Sequence, residues 1–258
     1  MDNAALEKKR LRARRFFLPK ENLCERKAII SGQELEHLRR VLRLRPGDRV
    51  TLFDDQGWEH EGVIASLGPD HGLIEILKSY QPGRESFFDI TLAQSLGKGD
   101  KMDLIVEKAT ELGVGTIIPF FSSRTVPSPD TEKMGRRQAR WEKIALNAAK
   151  QSGRTRIPEI LEFSDFETLV CGAWHCDLKL LLWEKESVCG LAEIRGERPE
   201  LKSVLLAIGP EGGFSSEEAA KAKEHGFRSI RLGKRILRTE TAALAALSLV
   251  QFLWGDLG

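Results

Sequence analysis

The 258-residue chain has only four cysteines, a formal net charge of just +2, and no apolar run approaching the length of a membrane span. Each shortage excludes something. Cys24, Cys171, Cys176 and Cys189 form no disulfide framework, which predicts reduced thiols and a cytoplasmic protein. Cys171, His175, Cys176 and Cys189 match no standard zinc-knuckle spacing, so no metal is expected. Without a long apolar segment, no membrane association is expected either. The N-terminus, MDNAALEKKRLRARRFF, is basic but lacks the apolar stretch of a secretory signal. It reads as a frayed extension or as an RNA-touching arm. Bulk charge does not mark a nucleic-acid binder, but its distribution is uneven. Residues 1–84 carry 16 Lys and Arg against 13 Asp and Glu, leaving a slight negative excess for the rest. There are no internal repeats and no low-complexity tracts.

What is present is an ordinary globular composition, 41% hydrophobic and 30% charged, enough for one or two domains with their own cores. The chain changes character near a linker at 81–84. Residues 14–82 read as a small β-rich domain with strands at 49–53, 58–67 and 72–77, the first two joined through Asp54-Asp55-Gln56-Gly57. A helix is predicted over 31–41, with Ser31 as N-cap and Glu34 completing a capping box. Residues 85–258 alternate strands with helices. Strands are predicted at 88–94, 116–121, 178–183, 203–208 and 229–232. Helices are predicted at 101–112, 136–151, 216–224 and 240–253. Such alternation predicts an α/β domain with a mainly parallel sheet covered on both faces.

One stretch asks for a ligand. AIGPEGGFSS (207–216) follows an apolar strand with three glycines and a proline around one carboxylate, Glu211. Ser215 and Glu218 form a capping box for the next helix, so the loop lies at the carboxyl end of a parallel strand. Open α/β sheets bind ligands at such ends. A second loop, Gly233-Lys-Arg-Ile-Leu-Arg238, follows the 229–232 strand, with Thr239 as the cap of the last helix. The end of 178–183 is a third contributor. The glycine loop is neither GxGxxG nor a Walker loop, and Glu211 disfavours phosphate, so an uncharged or cationic small molecule fits better. A purely structural glycine turn fits the same residues. Two arginine clusters, 39–45 and 136–156, read either as solvated faces or as a shared polyanion surface.

The segments RVLR (40–43), KGDKMD (98–103), EKATELG (107–113), QSGR (151–154), IGPEGG (208–213) and LGKRILRTETA (232–242) resemble the RsmE family. These are bacterial methyltransferases that modify N3 of one uridine in 16S ribosomal RNA. The chain departs from the family in its extended basic N-terminus and in Asp55, where the family often has glycine. The resemblance implies an N-terminal PUA-like β-barrel and a C-terminal SPOUT domain with a trefoil knot. It implies S-adenosyl-L-methionine as cofactor, 16S rRNA or the small ribosomal subunit as partner, and a homodimer. Carried over by position, Leu182, Gly209, Leu232 and Leu237 would line the cofactor pocket, with Pro210, Glu211, Gly213, Gly233 and Thr241 adjoining.

Uracil N3 holds a proton at neutral pH, and losing it spreads negative charge onto two carbonyl oxygens. An arginine aimed there would stabilise that charge. Arg238, beside the second loop, is the first candidate and Arg154 the second. Glu240 is a candidate base, or else a first-turn carboxylate favoured by the helix dipole. Arg15, Arg40 and Arg43 are the expected RNA contacts of the front domain. Two other outcomes stay open: a SPOUT methyltransferase acting on another RNA nucleotide, and a non-catalytic RNA-binding assembly factor.

Overall fold

The computed structural model describes residues 14–97, 99–125, 131–186 and 190–258. The basic N-terminal arm, Lys98 and Cys189 lie outside the described residues. Those described fall into two compact units. One runs through Glu85 and adds Ala149–Ile157; the other comprises Ser86–Ala148 and Pro158–Gly258.

The first unit is built on a six-stranded sheet of β1 (Arg15–Phe17), β2 (Leu23–Cys24), β3 (Lys27–Ser31), β4 (Arg49–Phe53), β5 (Glu59–Leu67) and β6 (His71–Tyr80), in the order β1-β4-β5-β6-β3-β2. Neighbours are antiparallel except β1 and β4. Strand β3 alternates cleanly, with Ala28 and Ile30 buried and Lys27, Ile29 and Ser31 outward. Its inner face meets Phe16, Leu35, Leu38, Leu52, Ile64 and Ile74 in one core.

The predicted 31–41 helix is less regular than its pattern promised. α1 (Gly32–Glu36) passes into a π-wound turn, His37–Val41, that ends in Leu42. Ser31 makes no side-chain capping bond, so the expected capping box is absent. Glu34 bonds Lys150 instead, an ion pair that outcompetes a local cap. Arg43, just beyond, holds φ +52, a conformation uncommon for a side chain of its size. At the β4–β5 turn, Asp55 holds φ +62 where the resembled family often has glycine. Its Oδ1 accepts from the Ile157 N–H at 2.6 Å, and burial pushes this carboxyl above its ordinary range.

Ala149–Ile157 belongs to this unit through contacts no periodicity reveals. Glu85 accepts from the backbone N–H groups of Thr155 and Arg156 at 2.6 and 3.1 Å and from the Arg154 guanidinium at 2.9 and 3.0 Å. Arg15 is the other anchor, and it corrects an expectation. Its guanidinium is buried, bonds Glu59, and donates to the carbonyls of Ala149 and Arg154 at 2.9 and 2.6 Å. It also lies 4.3 Å from the centre of the Phe53 ring. Every face of the group is used inside the protein, so Arg15 is a structural cation and not a surface RNA contact. Burial pulls its pKa down, against the opposing pull of Glu59.

The second unit holds a parallel sheet of β7 (Asp89–Ser95), β8 (Thr116–Phe121), β9 (Glu159–Ile160), β10 (Ser164–Asp165), β11 (Leu178–Leu182), β12 (Ser203–Ile208) and β13 (Phe227–Ile230). The order is β10-β8-β7-β12-β11-β13, with β9 beside β8. Its helices are α2 (Lys101–Glu111), α3 (Thr131–Ser152, the last residues of which sort with the first unit), α4 (Phe166–Cys171), α5 (Leu191–Glu197), α6 (Ser216–Glu224) and α7 (Thr239–Trp254). Central β12 is buried along nearly its whole length, as a strand covered on both faces must be. β13 sits two residues earlier than predicted. Phe227 enters the core, while Arg231 and Leu232 leave the ladder for the following loop. The short β9, β10, α4 and α5 carry too little periodic signal to be read in advance.

Candidate functional site

Three parallel strands end together. Leu182, the last residue of β11, pairs with Ile208 of β12 on one side and Ile230 of β13 on the other. Parallel pairing puts their carboxyl ends on one sheet edge, and the segments beyond them enclose a cleft of about 240 Å³. Its apolar wall comes from Leu182, Ile208, Ile230, Leu232, Leu237 and Ala242. Gly209, Pro210, Glu211 and Gly213 form a second wall, and Lys234, Arg235 and Ile236, all exposed, also line it. Of the expected cofactor residues, Leu182, Gly209, Pro210, Glu211, Gly213, Leu232 and Leu237 thus share one cleft. Gly233 and Thr241 do not line it. Gly233 sits in the turn between two lining residues with φ +70, and Thr241 faces outward on α7.

The glycine loop is pinned from both ends. Phe214 is fully buried and stacks on Phe120, with ring centres 6.3 Å apart. Its carbonyl accepts from the Trp183 indole at 3.3 Å. Beyond it, Ser215 Oγ accepts from the Glu218 N–H at 3.1 Å and Glu218 returns the bond at 2.8 Å. This is the expected capping box. Inside the loop, Gly213 takes φ +63 and its N–H closes a turn onto the Pro210 carbonyl at 2.9 Å. A Cβ on Gly213 would lie 2.6 Å from Glu184 Oε2. Glycine here lets the Glu184 carboxylate approach the backbone at the cleft.

Side chains from elsewhere complete the loop. Arg124 Nη1 donates to the Gly212 carbonyl at 2.7 Å. Lys101 Nζ lies 2.6 Å from Glu211 Oε1, so the charge expected to repel phosphate is already met. Thr239 corrects another expectation. It does not cap α7; Arg238 occupies the cap position, without a side-chain bond. Thr239 is buried as the first helical residue, and its hydroxyl donates to the Gly209 carbonyl at 2.8 Å. Sequence reading missed Thr239, Glu184 and Lys101 as site residues. Thr239 and Lys101 sit inside quoted motifs, and that was the available signal.

The candidate catalytic residues fall in different places. Arg238 is exposed between two lining residues, Leu237 and Thr239. Glu240 has Oε2 buried with no hydrogen bond, 3.8 Å from Lys101 Nζ. Arg154 is a residue of the first unit, its guanidinium taken up by Glu85. Arg40 and Arg43 are exposed on the first unit, Arg40 paired with Glu36 at 2.7 Å. Among the described residues, no group of three or more His, Cys, Asp or Glu side chains is placed to hold a metal. No helix among them is long and apolar enough to cross a membrane.

Comparison with known proteins agrees with this geometry. Residues 84–251 match the family model of an RNA methyltransferase domain, and residues 30–77 match that of an RNA methyltransferase PUA domain. The ribosomal RNA small subunit methyltransferase E of Bacillus subtilis is 33% identical over 227 residues, covering 86% of this chain and 89% of that protein. Its Synechocystis counterpart is 31% identical over 244 residues, covering 93% and 78%. The crystal structure of a ribosomal RNA small subunit methyltransferase E from Neisseria gonorrhoeae, bound to S-adenosyl methionine, superposes with a TM-score of 0.85. It is 37% identical and covers 95% of this chain and 99% of that one. With a matched fold, a matched domain pair and relatives aligned along most of its length, this chain belongs to the ribosomal RNA small subunit methyltransferase E family.

Proposed function

We propose that this protein transfers a methyl group from S-adenosyl-L-methionine to N3 of a uridine in the 16S rRNA of the small ribosomal subunit. The observation that carries this reading is the cleft at the aligned ends of β11, β12 and β13. The cleft suits the cofactor chemically. Its apolar wall takes a flat heterocycle, and the carboxylate of Glu184 beside Gly213 complements a molecule bearing cationic groups. When bound, the cofactor supplies an electrophilic methyl on a sulfonium. What remains for the protein is to position the base and to stabilise the charge left when N3 gives its proton to water, before N3 takes the methyl and the cofactor leaves as the neutral thioether.

Arg238 is the residue for that second task. It sits exposed at the start of α7, between two residues that line the cleft, so its guanidinium is free to meet the uracil oxygens of a base brought to the cofactor. Glu240 fits better as a first-turn carboxylate, matched to the helix dipole and to Lys101, than as a base. Arg154 is committed to Glu85, and in this reading it holds the Ala149–Ile157 segment. Arg40 and Arg43 supply phosphate contacts on the first unit. The trefoil knot belongs to the same proposal, with the loop 231–238 and α7 as the threaded part. So does a homodimer: Leu249 and Phe252 leave an apolar stripe of α7 exposed, with Leu104 exposed on α2, which packs against α7.

The test is transfer of labelled methyl to small subunits from cells lacking the protein, followed by nucleoside analysis. N3-methyluridine at one site is expected. Label in another nucleoside overturns the assigned target, and no label overturns the enzyme reading. Arg238→Ala should cut turnover about a hundredfold with cofactor affinity little changed; equal turnover removes Arg238 from the mechanism.

A further inference from the structure

One ammonium group reaches both the glycine loop and the first turn of α7. Lys101, the first residue of α2, places Nζ 2.6 Å from Glu211 Oε1 and 3.8 Å from Glu240 Oε2. Glu211 is the centre of the glycine loop after β12, and Glu240 lies in the first turn of α7. The chain makes room for this contact. A Cβ at Gly97 would lie 2.9 Å from Glu211 Oε1, so a larger residue there would push the carboxylate off the lysine. The loop needs such anchoring. Between Gly209 and Gly213 it has three glycines and a proline, a backbone with wide freedom in the absence of side-chain ties.

We infer that Lys101 is a positioning residue for the cofactor cleft, clasping the glycine loop to α7 through Glu211 and Glu240. The inference rests on the cofactor reading above. Lys101 and Glu211 are each about a third exposed, and ion pairs of that exposure contribute little to global stability. The clasp therefore acts on the ordering of the loop. Without it, the Thr239 and Arg124 ties to the Gly209 and Gly212 carbonyls remain, but cofactor binding must supply the part of the ordering that the clasp gave, and affinity falls by that cost. Loss of the cation also removes the counter-charge that Lys101 gives to Glu211 and to Glu240 Oε2.

The experiment is calorimetric titration of wild type, Lys101→Met, Glu211→Gln and the double variant with S-adenosyl-L-methionine, alongside thermal unfolding. Lys101→Met should weaken binding about tenfold while the melting temperature stays near wild type. Its KM for the cofactor should rise more than kcat falls, and Lys101→Arg should recover most of the affinity. The double variant should bind no worse than the weaker single one, the non-additivity of one shared contact. If wild type binds and both single variants bind equally well, the clasp is wrong and the cofactor reading stands. Additive losses would likewise overturn it. If Lys101→Met fails to fold, Glu211→Gln alone decides by the same affinity readout. If wild type itself does not bind, the cofactor reading fails and the clasp falls with it.

Discussion

Thr239 Oγ1 donates to the Gly209 carbonyl at 2.8 Å and accepts from Gln94 Nε2 at 3.0 Å. One buried hydroxyl thereby ties the end of β7, the start of the glycine loop and the start of α7. Thr239→Val keeps the shape and removes the hydroxyl, stranding the Gly209 carbonyl and one N–H of the Gln94 amide, which keeps its bond to the Ser95 carbonyl. The expected cost is about 1–3 kcal/mol of stability, with weaker cofactor binding, while Thr239→Ser retains most of both. Denaturant unfolding and cofactor titration of the two variants check this.

Gly213 is the position where the loop's geometry demands glycine. With φ +63 and Glu184 Oε2 2.6 Å from any added Cβ, Gly213→Ala should lose about 1–2 kcal/mol from the left-handed conformation. Glu184 must also swing away, so cofactor affinity should drop. Adding Glu184→Ala should relieve the crowding without restoring affinity. Full recovery of affinity in the double variant would show that Glu184 only fills space.

Arg15 should behave as a core residue. Arg15→Ala leaves buried Glu59 with Arg84 as its only remaining cation, beside the Tyr80 hydroxyl, among the described residues, and removes Arg15's two bonds to the backbone of Ala149–Ile157. The expected destabilisation is about 3–5 kcal/mol. The salt dependence of RNA binding should not change in whatever fraction remains folded. A shallower salt slope at full stability would return Arg15 to the RNA surface.

Arg40 and Arg43 should show the opposite behaviour. Both are exposed, so Arg40→Glu with Arg43→Glu should leave stability near wild type and weaken RNA binding. The slope of log affinity against log salt should fall by about 2, one per lost phosphate contact. Filter binding over a salt series measures it, and an unchanged slope would move the RNA surface elsewhere.

His60 should make the first unit sensitive to acid. Its ring is buried, with Nδ1 2.8 Å from Ser79 Oγ and Nε2 3.7 Å from Asp54 Oδ2. Burial lowers its pKa, against the opposing pull of Asp54 and Glu59. Above about pH 6.5 the ring is neutral in both folded and unfolded chains and imposes no penalty. As pH falls below that value, the unfolded chain binds a proton that the folded ring resists, so stability declines until the folded ring titrates. Chemical unfolding between about pH 5 and pH 8 should show this decline, and His60→Gln should flatten it.

Much of the second unit was legible in the chain. Strands of uninterrupted aliphatics such as SVLLAI, helices with apolar positions on one face, and the Ser215–Glu218 capping box are local signals that local physics obeys. The AIGPEGGFSS loop was legible for the same reason, since glycine and proline announce special backbone wherever they stand. The first unit was harder. β1 and β2 are only three and two residues long, and the Ser31 capping box failed because Glu34 found a stronger partner in Lys150, 116 residues away.

The alternation of strands and helices, the glycine loop at a strand's end and the motifs that mark the family can all be read from the chain. Each depends on residues near one another in the chain. That Leu182 stands between Ile208 and Ile230, that Arg15 is buried, and that Lys101 reaches both Glu211 and Glu240 are set by the folded packing. Those facts depend on which groups meet across long stretches of chain. A charged side chain's role is fixed by whether it meets water or an opposite charge when it gets there.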